Sequence, residues 1–103
     1  MLSEKEIELL EREIDQIYQS MGSRIRKERR YKKITQAQLA QQVGKNVRTI
    51  QKYEAGNIEV SIRSLYRIAA VLGCTPDYLI FGDTNNIFAD WADSFCADQS
   101  DLL

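Results

Sequence analysis

The stretch "TQAQLAQQVGKNVRTIQKYEAG", residues 35–56, constrains the fold more than any other part of this chain. Its apolar residues recur at helical spacing on either side of Gly44, so two short helices must meet at a tight corner. In "TQAQ" the Thr35 hydroxyl can accept from the amide of Gln38 while the Gln38 side chain reaches back to Thr35, which fixes where the first helix starts. Leu39, Ala40 and Val43 form its inner face, Gly44 supplies the left-handed residue that ends it, and Asn46 caps the next helix almost at once. That second helix, Val47 to about Ala55, turns Ile50 and Tyr53 inward and stops at Gly56. Helices this short are not stable alone in water, so other elements must brace both.

The flanking sequence offers the brace. Ser3, followed by Glu4 and Glu6, reads as the cap of a helix to Met21, whose Ile7, Leu10, Ile14, Ile17 and Met21 alternate spacings of three and four. That seam suits either the protein's own core or a self-associating coiled coil. Gly22 is read as its end, with a second helix from Ser23 to about Lys32 that turns Ile25 inward among Arg24, Arg26, Lys27, Arg29 and Arg30. Beyond the "NIEV" loop, Ser61 caps a helix through Leu72 with Leu65, Ile68, Ala69 and Leu72 inward. In "GCTPDYLIF" Thr75 caps a last short helix, Pro76 takes the first helical position, Asp77 suits its positive end and Gly82 closes it.

The class that follows is all-α. One proline and five glycines in 103 residues fit helices better than a strand-rich sandwich, and this length builds one domain core. No apolar run is long enough to cross a bilayer, and "MLSEKEIELLERE" lacks the pattern of a signal peptide, so a cytoplasmic protein without membrane contact is expected. With no histidine, the usual metal clusters and the commonest general base are missing, and no metal, cofactor or enzymatic activity is expected. Cys74 and Cys96 are read as reduced, structural thiols.

A net charge of -1 conceals three blocks. Residues 1–22 hold two basic and six acidic residues (net -4), residues 23–82 hold twelve and four (net +8), and residues 83–103 hold none and five (net -5). A compact basic middle is the footprint of something that meets phosphates, and here it coincides with the paired helices. The three blocks also serve as the domain division: an amphipathic N-terminal helix suited to dimerisation, a helix-turn-helix unit and an acidic C-terminal segment.

Two helices joined by a glycine turn, with further helices after them, describe a helix-turn-helix, whose second helix enters the major groove. With "IRKERR" before "TQAQLAQQVG", then "TIQKYEAG", "LYRIAAVLG" and "CTPDYL", the chain resembles the Cro and lambda-repressor-like (XRE-type) family from about Ile25 to Phe81. The resemblance implies a five-helix lambda-repressor-like domain, here with an added N-terminal helix and a candidate short amphipathic helix at the C-terminus. It further implies a homodimer on a partly palindromic operator, and base-facing positions at Val47, Arg48 and Lys52. Arg48 ranks first because arginine can bond guanine O6 and N7 together; Lys52 lies one turn further on, and Val47 or the Thr49 methyl can meet a thymine methyl. Gln36, Lys45, Asn46 and Asn57 are assigned to the DNA backbone. The resemblance also pairs Arg29 with Glu54 in an internal salt bridge. Glu59, where relatives often carry a proline nearby, would stand unfavourably close to phosphate.

The C-terminal "NNIFADWADSFCAD" gathers Ile87, Phe88, Trp91, Ala92 and Phe95 on one helical face, suited to the protein's own core, a dimer mate or a separate protein. It also suits a tail that shields the basic face. The leading function is a double-stranded-DNA-binding transcriptional repressor or similar regulator. A protein-binding adaptor or antitoxin, whose acidic ends engage a partner, is the alternative. For the dimer, the N-terminal seam competes with the surface of Tyr78, Leu79 and Phe81.

Overall fold

Each helix in the structure starts where a hydroxyl or amide side chain can take up a free backbone N–H. In the computed structural model, which describes residues 1–82, these are α1 (Glu4–Tyr31), α2 (Gln36–Val43), α3 (Val47–Ala55), α4 (Ile62–Leu72) and α5 (Pro76–Phe81). Ser3, Thr35, Asn46, Ser61 and Thr75 cap them in turn, and Ser3 and Thr35 form reciprocal boxes with Glu6 and Gln38. The bonds from Ser3 hold the Glu6 carboxyl below its ordinary value of 4.5. This cap therefore supports α1 above that pH and is lost as acid carries Glu6 through its lower folded value. The expectations for residues 83–103, with the candidate C-terminal helix, its partner surface and Cys96, lie outside the described residues.

The expected break at Gly22 does not occur: α1 runs through it as one helix of 28 residues, about 42 Å long. The glycine serves packing instead. A Cβ on Gly22 would lie 2.3 Å from the Tyr53 carbonyl oxygen and 2.6 Å from that of Glu54. One turn earlier, Gln19 Cα would stand 2.7 Å from a Cβ on Gly56. Two glycines thus let α1 and the end of α3 touch backbone to backbone. Helix propensity costs about 1 kcal/mol for a glycine in this position, and the close crossing outweighs it.

Around that crossing α1 lends Met21 and Ile25, and the core is filled by Leu39, Val43, Ile50, Leu65, Ile68, Leu72 and Leu79. Each fully buried aliphatic side chain contributes about 1.5–3 kcal/mol of hydrophobic stabilisation. α5 is tied down by polar contacts as well. The Arg24 guanidinium donates to the carbonyls of Leu79 (3.0 Å) and Ile80 (2.8 Å), which satisfies the open end of this short helix. The Tyr78 hydroxyl donates to Glu28 at 3.0 Å. Leu79, considered above for pairing two copies, is fully buried and leaves that surface to Phe81 and the half-buried Tyr78.

Replacement of Gly22 gives a result whose sign separates a packing glycine from a helix break. In urea titrations, Gly22→Ala lowers stability by about 2 kcal/mol, because backbone atoms must move. A gain of about 1 kcal/mol, the ordinary effect of alanine in a helix, would contradict the crossing.

Candidate nucleic-acid interface

The corner between α2 and α3 is closed by backbone geometry. Gly44 takes φ 71° and ψ 34°, a conformation that costs a side-chain-bearing residue about 1–2 kcal/mol, and the Lys45 N–H then reaches the Ala40 carbonyl at 2.9 Å. Two residues on, the Asn46 carboxamide oxygen accepts from the Thr49 N–H at 2.8 Å and from the Thr49 hydroxyl at 2.9 Å. α3 therefore starts at a fixed point with a fixed rotation. Ile50, Tyr53 and Glu54 turn into the body, and Val47, Arg48, Gln51 and Lys52 are left exposed.

Sequence and structure differ in detail over the assigned residues. Val47, Arg48 and Lys52 share the outer face of α3, with Lys45 and Asn46 exposed at its start and Asn57 exposed just past its end. Thr49 is half-buried and its hydroxyl hydrogen is committed to Asn46, so its methyl and the hydroxyl lone pairs remain to offer. Gln36, read as a phosphate contact, donates its side-chain amide to Glu54 Oε1 at 3.0 Å. The residue thus joins α2 to α3, with its second amide hydrogen and its main-chain N–H left as donors.

That glutamate is the hub behind the face. Arg29 Nε donates to Glu54 Oε2 at 2.6 Å, its Nη2 to Oε1 at 3.1 Å, and its Nη1 to the Ile34 carbonyl at 3.0 Å. Both side chains are buried, and among the described residues no buried side-chain polar atom lacks a partner. The bidentate geometry ties α1, the start of α2 and α3 into one piece. It is also the one ion pair within 4 Å among the described residues, and none of these residues pairs a carboxylate with the exposed cations of α3. Arg24 was missed as a positioning residue; its partners lie more than fifty positions away, where no local pattern reaches. Cys74 is half-buried against the core, and burial pushes its thiol up, which suits packing over reactivity.

The model of the helix-turn-helix family matches residues 25–79. The chain belongs to that family. Helix-turn-helix relatives include repressor protein C2 of Salmonella phage P22, 40% identical over 65 residues that make up 63% of this chain and 30% of the repressor. The transcriptional regulator DicA of Escherichia coli (strain K12) is 33% identical over 64 residues, covering 62% of this chain and 47% of DicA. The chain thus spans less than half the length of either relative. A crystal structure of the P22 c2 repressor with a synthetic operator superposes with a TM-score of 0.61 at 40% identity, covering 63% of this chain and 98% of that one.

The hub yields a double-mutant cycle. Arg29→Met or Glu54→Leu alone strands a buried charge and costs about 3–5 kcal/mol in urea unfolding, whereas the double replacement costs far less than the sum. Additive losses would show that the two groups act separately.

Proposed function

We propose that the chain binds double-stranded DNA as a transcriptional regulator, a repressor that acts as a dimer on a partly palindromic operator. The observation that carries the reading is the exposed face of α3, whose Arg48 and Lys52 pair with no carboxylate among the described residues and which is fixed from behind by Ile50, Tyr53 and the Arg29–Glu54 pair. A helix of about 13 Å fits the major groove, and only side chains on its outer face can reach base edges. Arg48 reads a guanine, Lys52 reaches a guanine or a phosphate, and Val47 and the Thr49 methyl touch thymine methyls. Lys45, Asn46, Asn57 and the N–H of Gln36 set the register on the backbone.

Similarity to a repressor solved on an operator supports the class of ligand. Two copies related by a twofold axis would place their α3 helices about 34 Å apart, one turn of the duplex. Phe81, exposed at the end of α5, is the apolar surface for that pairing. Cytoplasmic location follows from the proposed ligand; among the described residues no helix is long and apolar enough to cross a membrane.

Sites selected from random DNA, followed by anisotropy titrations over a range of salt, test this. If a dimer neutralises about six phosphates, log affinity falls with log salt at a slope near -5. Arg48→Ala costs about 1–3 kcal/mol on the selected site and relaxes one base position, while Lys52→Ala weakens binding and flattens the slope. Loss of neither affinity nor selectivity in folded Arg48→Ala would remove the reading.

A further inference from the structure

The first half of α1 has no role in the interface above, and its apolar stripe runs off the end of the body. Along one stripe the exposure falls from Ile7 (45%), Leu10 (42%) and Ile17 (39%) to Met21 (4%), the same helical face passing from solvent into the core. Because the helix is continuous through the Gly22 crossing, this exposed part is held in helical form by a folded domain. Its base is bordered on one side by a cleft that Asn57 and Ile58 help to line and that holds the carboxylates of Glu11, Asp15 and Glu59 and, among the described residues, no cation. On the other side Glu13 and Ile17 line a cleft that reaches Ile80, Phe81 and Arg24, whose guanidinium is held by the carbonyls of Leu79 and Ile80.

With Ile7 and Ile14 in the first core position of a heptad and Leu10 and Ile17 in the second, the flanking positions are Glu4, Glu6, Glu11 and Glu13, beside Tyr18 and Ser20. Every charged flank is acidic. Two such seams paired with each other, parallel or antiparallel, set carboxylate against carboxylate over only two heptads, which are marginal without repulsion. Residues 83–103 carry five aspartates and no basic residue, so the chain's own tail meets the same obstacle.

We propose that this half of α1 is a docking seam for a basic amphipathic helix of another protein, whose apolar stripe covers Ile7, Leu10, Ile14 and Ile17 and whose Lys or Arg flanks meet the glutamates. The inference is independent of DNA binding, since none of these residues belongs to the α3 face. It makes the chain an adaptor as well as a DNA reader.

Two synthetic three-heptad helices with leucine in the core positions test it, one flanked throughout by lysine and the other by glutamate. Titrated onto the full chain at neutral pH, the lysine-flanked helix binds at least about tenfold more tightly than the glutamate-flanked one. Glu11→Lys/Glu13→Lys in the chain narrows or reverses that preference. Ile7→Asp/Leu10→Asp, at exposed positions, abolishes binding with unchanged thermal unfolding and unchanged affinity for the selected duplex. Equal binding of the two helices, or of neither, overturns the proposal. Self-association of the free chain that Ile7→Asp/Leu10→Asp dissolves would make a second copy the occupant and overturn it too.

Discussion

The buried pair between Arg29 and Glu54 is the constraint on which the arrangement depends. Glu54 sits on the inner side of α3, and its two oxygens accept from α1 through Arg29 and from α2 through Gln36. A charge taken out of water at this depth is tolerable only when every donor and acceptor is matched, so the pair accepts one relative placement of three helices and rejects neighbouring ones. Hydrophobic burial supplies most of the stability, and its close packing resists sliding. The hydrogen-bonded network and the backbone contact at Gly22 add directional constraints to it. The outer face of α3 is consequently presented at a fixed height and rotation, which base recognition at bond-length precision needs.

Local chemistry made much of this legible in the sequence. Caps such as Thr35, Asn46, Ser61 and Thr75 act within three residues, and left-handed Gly44 acts within one turn, so both can be read without knowing the fold. The inner faces of α2, α3 and α4 follow from spacing alone. Gly22 was misread because a glycine has two opposite uses: it ends a helix by its freedom, or lets another backbone come close by its lack of a Cβ. Only the presence of Tyr53 and Glu54 opposite it decides, and they lie some thirty positions on. Gln36 and Arg24 illustrate the same limit, since long polar side chains can serve solvent, ligand or a distant partner. The pairing of Arg29 with Glu54 came from family resemblance, not from any rule of spacing.

The charge blocks acquire a structural meaning once α1 is one helix. Its acidic half extends from the body while its basic half is built into it, so a single rod carries two surfaces of opposite sign. In the proposed complex the basic unit would face phosphates and the acidic, apolar rod would stand free of them.

Methylation interference tests the central claim most directly. In a selected duplex, a methyl group on guanine N7 interferes wherever the protein closely approaches that guanine in the major groove, and removing the approaching side chain relieves it. The account predicts that methylating one guanine in each half-site sharply weakens binding of the parent chain and leaves Arg48→Ala, already deprived of that contact, unaffected. Equal sensitivity of parent and variant, or indifference of both, would contradict it.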